Sequence, residues 1–213
     1  MNKDNMNRRH FLAVLGTGAL GLALPLKSLA EMQCSPPIMN SNGYAIQNCS
    51  AGIPSGVLSF VAARQQNTQW CWAACIQMMF RMYGYDLPQQ ILVQQTWGNI
   101  VNMPAYPNQI LAALNRTYVD RSGKRFTARG DALTVNVATA IQDLSNRSPL
   151  IVGTLGHATV LTALNYTQSN IGELQVTSAI VRDPWPQSPS RRTLSPQEWY
   201  NINFAARIRC YPV

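Results

Sequence analysis

The texture of the chain changes at Ser148-Pro149, and that change limits the folds open to it. Before it, apolar residues recur at helical spacing. Residues 70–83 carry Cys71, Cys75, Met78, Met79 and Met82 on a period near 3.6 and stop at Gly84. Further helices are expected at 88–95, where Pro88 suits a first turn, at 108–115 and at 136–147. After Pro149, short apolar runs between turn residues predict strands at 150–153, 158–165 and 174–181, with 166–172 as a reversal. Ser195-Pro196-Gln197-Glu198 forms a capping box for a short helix through Tyr200. A final strand is expected at 202–208, with Cys210 just beyond it. Helices first and antiparallel strands second predict an α+β domain.

The rest of the first half is less regular. Residues 31–56 hold Pro36, Pro37, Gly43, Gly52 and Pro54, and are expected to wrap the surface, tied down by Cys34 and Cys49. Residues 57–62 read as a short strand. Residues 120–131 are polar and turn-rich, and Arg129-Gly130-Asp131 is expected at a basic hairpin tip.

At the N-terminus, Asn7-Arg8-Arg9-His10-Phe11-Leu12 precedes an apolar run over 13–26 and the exit Lys27-Ser28-Leu29-Ala30. A basic region, an apolar region and a small-residue exit make residues 1–30 a signal peptide, cleaved after Ala30. The run falls short of the roughly 20 residues a membrane span needs. Arg8-Arg9 before Phe11-Leu12 resembles the bacterial twin-arginine export signal. The expected product is residues 31–213, a single domain without stable membrane association, in the periplasm or outside the cell.

The formal charge is +8, but the leader holds four of the 17 basic residues and one of the nine acidic ones, which leaves an excess of five. With no aromatic-basic stripe beside it, this mild excess does not point to nucleic acid. The five cysteines, at 34, 49, 71, 75 and 210, all follow the leader. In an oxidising compartment an odd number leaves one thiol unpaired. One reactive thiol and two disulfides account for all five, with three pairings open.

A cysteine nucleophile needs a lowered pKa, a base in reach and donors for the developing oxyanion. Cys71 stands near a predicted helix N-terminus, where the helix field favours a thiolate. Cys75, one turn later, is the alternative nucleophile or a buried thiol. With His10 in the leader, His157 is the only histidine left to act as base. One imidazole and no close Cys-x-x-Cys pair make a metal site or cofactor unexpected. Asp183, in Val181-Arg182-Asp183-Pro184-Trp185, is the expected acceptor for the second ring nitrogen, since antiparallel pairing returns it toward His157. Glu173, beside the reversal, is a rival; Asn165 is weaker still.

Gln65-Gln66-Asn67-Thr68-Gln69-Trp70-Cys71-Trp72-Ala73-Ala74 resembles the active-site segment of papain-like cysteine peptidases. The similarity is to bacterial branches related to the bacteriocin-leader-processing peptidases and the secreted effector peptidases. The resemblance extends to Gly156-His157-Ala158-Thr159-Val160-Leu161 and to Asp183-Pro184, and covers about residues 57–185. It implies a two-lobed fold, with helices carrying Cys71 and a sheet carrying His157 and Asp183. It also implies that Gln65, six positions before the nucleophile, completes the oxyanion hole with the Cys71 N–H; Gln66 is an offset alternative. The implied activity is hydrolysis of peptide or isopeptide bonds in a peptide or protein substrate. The same residues would serve an amidase, transpeptidase or acyltransferase, and a paired Cys71 would instead mean an inactive binding module.

Overall fold

The computed structural model describes residues 32–133 and 136–213; the expected signal peptide lies outside the described residues. In chain order the elements are β1 (Gln33–Cys34), β2 (Ile38–Met39), β3 (Ala45–Gly52), α1 (Ser55–Val61), α2 (Cys71–Met82), α3 (Gln89–Trp97), α4 (Pro107–Ala113), β4 (Thr117–Val119) and β5 (Arg125–Leu133). There follow α5 (Val137–Ser145), β6 (Leu150–Thr154), β7 (His157–Ser169), β8 (Leu174–Arg182), β9 (Arg191–Thr193), α6 (Pro196–Tyr200) and β10 (Ile202–Pro212). The fold is α+β.

The long strand β7 organises the sheet. Its first five residues pair with β6 and its last seven with β3, while β8 follows the opposite edge. From β6 the sheet continues through β10 and β5 to β4, and β9 extends it beyond β8. Every pairing is antiparallel.

Both faces of the sheet are covered. Ile151, Val160, Ala206 and Ile208 pack in one core with Trp72, Ile76, Met79 and Phe80 of α2. Leu150, Val152, Leu161 and Ala205 alternate with them and pack in a second core with Ala140, Ile141 and Leu144 of α5. This explains why β6, Leu150-Ile151-Val152, reads as a continuous apolar run: neither side of it meets water. Asn136 caps α5 by accepting the N–H groups of Ala138 and Thr139.

Several expectations change. Residues 57–62 lie almost wholly in helix α1, not a strand. Residues 31–56 are not merely irregular, because β3 enters the sheet beside β7 and buries Cys49 and Ala51. The first half is therefore not purely helical. Gly52, opposite Ala163, permits the close approach: an added Cβ would meet the Ala163 Cβ at 2.4 Å. Arg129-Gly130-Asp131 lies inside β5, paired with β10, and the turn of that hairpin is at 120–124. Gly130 fits there because a Cβ would stand 2.5 Å from Leu114 Cβ. Cys210 lies within β10 rather than beyond it.

Cysteine pairing also differs from the two-disulfide expectation. Cys34 and Cys49, direct partners across β1 and β3, form a disulfide, while Cys71, Cys75 and Cys210 are free. Cys75 is sealed within the α2 core, and Cys210, on β10, packs against that core as a free thiol.

The hairpin that presents His157 carries strain. Thr154 pairs with His157, and the two residues between them, Leu155 and Gly156, both have positive φ, 50° and 79°. Two-residue turns of this kind favour Asn-Gly. A left-handed Leu costs about 1 kcal/mol or more, and Leu155 is 55% exposed, so little burial compensates. Leu155→Asn is expected to stabilise the protein by about 1 kcal/mol and raise Tm by about 2–4 °C. An unchanged or lower Tm in calorimetry would show that the turn carries no such strain.

Candidate active site

Cys71 is the first residue of α2, where the opening N–H groups of a helix have no intrahelical acceptor. Two buried indoles set that end of the helix. Trp70 Nε1 donates to the Val101 carbonyl at 2.8 Å and Trp72 Nε1 to the Met103 carbonyl at 3.3 Å. These bonds draw the segment after α3 alongside the thiol. A cleft of about 250 Å³ opens there, lined by Cys71, Trp72, Tyr106, Ile110, His157 and Phe204 among others.

His157 begins β7, where the tight hairpin holds it at the cleft. Its Nε2 lies 2.8 Å from Asp183 Oδ1, which leaves Nδ1 for the Cys71 thiol in the same cleft. Asp183 follows the end of β8, and its side chain is 1% exposed. Both its oxygens are engaged. Oδ1 also accepts the Trp185 N–H at 2.8 Å, and Oδ2 accepts Arg192 Nε at 2.6 Å. The Trp185 ring stands edge-on to His157, centroids 6.3 Å apart, and shields the pair.

The electrostatics follow from these contacts. Burial pushes the Cys71 thiol up, but hydrogen bonds from His157, the Ala158 N–H and the Trp72 N–H, with the imidazolium charge, bring it below its ordinary value. Burial works against charge on His157 too, yet its hydrogen bonds to Asp183 and Cys71 raise it to about 9. Asp183 is raised by burial but lowered further by donation from His157, the Trp185 N–H and Arg192, and lies at about 2. All three shifts favour a thiolate, an imidazolium and a carboxylate at neutral pH. The other free thiols go the opposite way: burial drives Cys75 well up and Cys210 to about 12.

Gln65 is buried, and its N–H donates to the Pro184 carbonyl at 2.9 Å, beside Asp183. Its side-chain Nε2 donates to the carbonyls of Asn67 and Thr68, both at 2.9 Å, while Oε1 is buried without a partner. In this arrangement the carboxamide braces the loop before Cys71. Gln66 is exposed, and its N–H is held by Gln89 Oε1. Glu173 sits at the far end of the β7–β8 hairpin, and Asn165 lies eight residues along β7 from His157; neither comes near the imidazole.

Three contributors escaped sequence reasoning. Arg64 Nη1 donates to the carbonyls of Trp185 at 2.6 Å and Ser188 at 2.8 Å, stitching the loop before Cys71 to the loop after Asp183. Arg192 contacts Asp183, and Glu198 in turn grips Arg192. Glu198 was legible only as a helix cap; nothing local in the sequence links it to residue 183.

The model of the Peptidase_C39 like family matches residues 57–207, most of the chain. The chain belongs to the Peptidase_C39 like family. It is thereby related to the papain-like cysteine peptidases that the segments around Cys71, His157 and Asp183 resemble. Among solved structures, the peptidase domain of Streptococcus ComA, a bi-functional ABC transporter involved in a quorum-sensing pathway, matches with 15% identity and a TM-score of 0.45. That match covers 71% of this chain and 97% of the other. A search of curated proteins finds no match. The family match begins at Val57, two residues into α1, so β1 to β3 and the Cys34–Cys49 disulfide precede the matched segment.

Proposed function

We propose that this member of the Peptidase_C39 like family is an exported, papain-like cysteine peptidase that cleaves peptide or isopeptide bonds through Cys71, His157 and Asp183. The observation that carries the reading is that Cys71 and His157 line one cleft while the far ring nitrogen of His157 lies 2.8 Å from the buried Asp183 carboxylate. The Cys71 thiolate attacks the substrate carbonyl and forms a tetrahedral adduct. Its oxyanion takes the Cys71 N–H and the Gln65 carboxamide, which exchanges a loop carbonyl for the oxyanion when substrate binds. The protonated Nδ1 of His157 gives its proton to the leaving amine, and the adduct collapses to an acyl-enzyme. The neutral ring then takes a proton from water, whose oxygen attacks the thioester and releases the acid. Asp183 holds the ring orientation throughout. The cleft between the α2 end and the β6–β7 hairpin fits the two-lobed arrangement of that fold. Residues 1–30 direct export, and periplasm or exterior is the working compartment. No helix among the described residues is long and apolar enough to cross a membrane.

Iodoacetamide at pH 6 followed by peptide mapping tests the assignment. Cys71 is expected to be alkylated while Cys75, fully buried, and Cys210, raised to about 12, stay unmodified. Preferential labelling of either other thiol would remove Cys71 as nucleophile. A comparison of proteome cleavage by wild type and Cys71→Ala identifies the substrate bonds.

A further inference from the structure

Asp183 is held from behind by further side chains. Arg192, on the edge strand β9, spends Nε on Asp183 Oδ2 at 2.6 Å and its two terminal nitrogens on Glu198, at 3.0 and 2.7 Å. Glu198 Oε2 also accepts the Ser195 N–H at 2.8 Å in the α6 capping box. The Glu198 carbonyl accepts Thr154 Oγ1 at 2.6 Å. Thr154 is the register partner of His157. The chain of contacts closes on itself: His157, Asp183, Arg192, Glu198, Thr154, and back across the β6–β7 hairpin to His157. A cap glutamate needs only the Ser195 N–H. The bidentate grip on Arg192 goes beyond that and fixes the guanidinium plane.

The charges give the arrangement a purpose. Arg192 alone beside Asp183 would cancel much of the negative charge that His157 faces. Glu198 supplies a second carboxylate, so the cluster of Asp183, Arg192 and Glu198 stays net negative toward the imidazole. We propose that Arg192 and Glu198 are positioning residues of the active site: Arg192 fixes the Asp183 carboxylate in register with His157, and Glu198 holds and neutralises Arg192. This rests on the reading of Cys71, His157 and Asp183 as the reacting set.

The test is the pH dependence of peptide cleavage and of Cys71 alkylation by iodoacetamide in full-length variants, at temperatures where circular dichroism shows each folded. Arg192→Lys keeps the charge and loses the fork; kcat/KM is expected to fall about tenfold with KM little changed. Wild-type kinetics in Arg192→Lys would overturn the positioning role. Arg192→Gln separates geometry from field, because the two have opposite signs. Loss of a cation alone would stabilise the imidazolium and raise the alkaline limb. Loss of carboxylate positioning weakens the His157–Asp183 bond and lowers it. We expect the limb to fall, and a rise would overturn the proposal. Glu198→Gln, which keeps the cap, leaves Arg192 less neutralised, and the limb is expected to fall by about half a pH unit or more. An unmoved limb in a folded Glu198→Gln protein would leave Glu198 a structural cap only. If wild-type Cys71 itself shows no low-pH alkylation, the reading of the reacting set fails instead, before any variant is compared.

Discussion

His157→Ala is expected to lower kcat/KM for peptide cleavage by about 10³- to 10⁴-fold and to slow Cys71 alkylation at pH 6 by about a hundredfold or more. Two losses combine. Without the imidazole the leaving amine loses its proton donor. The thiol also loses the His157 interaction that, with the Ala158 and Trp72 N–H groups, outweighs its burial. An ordinary thiol near pKa 8.5 is about 0.3% ionised at pH 6, and a buried one less. Asp183 keeps the Trp185 N–H and Arg192 as donors, so the fold should persist in the variant. The check is the pair of rates, measured beside a circular dichroism spectrum. Alkylation of His157→Ala at the wild-type rate would mean that something other than His157 activates Cys71.

Asp183→Ala should harm both stability and chemistry. Its buried carboxylate accepts bonds from His157, the Trp185 N–H and Arg192. Deleting one partner of a buried, hydrogen-bonded ion pair typically costs about 3–5 kcal/mol, so Tm should fall by about 10 °C. Asp183→Asn keeps the shape and removes the charge. It should lower kcat by about 10²- to 10⁴-fold, and the alkaline limb should move from near 9 toward the ordinary imidazole value of 6.5. A variant with the wild-type alkaline limb would show that Asp183 does not sustain the imidazolium.

Folding stability is linked to pH through the same three groups. Asp183, lowered to about 2 from 3.8, contributes stability above 3.8 that is lost as pH falls through 2. His157, raised to about 9 from 6.5, contributes stability below 6.5 that is lost as pH rises through 9. Cys71 is lowered from 9.0, so its contribution is present above 9 and is lost as pH falls. Between 6.5 and 9 the two contributions run in opposite directions as pH rises, that of His157 declining and that of Cys71 growing, so each masks part of the other's slope. Cys71→Ala exposes the histidine slope: urea midpoints should decline as pH rises above 6.5, and adding Asp183→Asn should flatten that decline.

How far the sequence carried the fold depended on the element. Helix α2 was legible because nine of its residues are buried and its apolar spacing has no competitor. The capping box of α6 was legible because Ser195 and Glu198 lie three residues apart and act on each other. Strand β3 was not, since Ala45-Ile46-Gln47-Asn48-Cys49-Ser50-Ala51-Gly52 buries little of its own length and is held by pairing with β7. Residues 57–62 read as a strand because Val57, Phe60 and Val61 favour that state, and α1 buries only Leu58, too little for an apolar period to show. Strand β5 hid behind its charges: Arg125, Arg129 and Asp131 occupy its exposed face while Phe126 and Ala128 fill the core.

The sequence by itself determined the candidates for chemistry. The expected leader contains His10 and leaves one histidine, and the segment around Cys71 marks one cysteine among five. Those are statements about which residue types exist and what stands beside them along the chain. The tertiary structure decided what no neighbourhood in sequence encodes. It brought Asp183 rather than Glu173 to the imidazole, buried Cys75 and Cys210 so that their thiols hold their protons more tightly, and turned the Gln65 amide into its own loop. It also joined Asp183 to Arg192 and Glu198 across two turns of chain. The physical reason is common to all four. Burial and hydrogen-bond partnership set whether a group is charged, reactive or inert, and both are fixed by contacts between residues far apart in the chain.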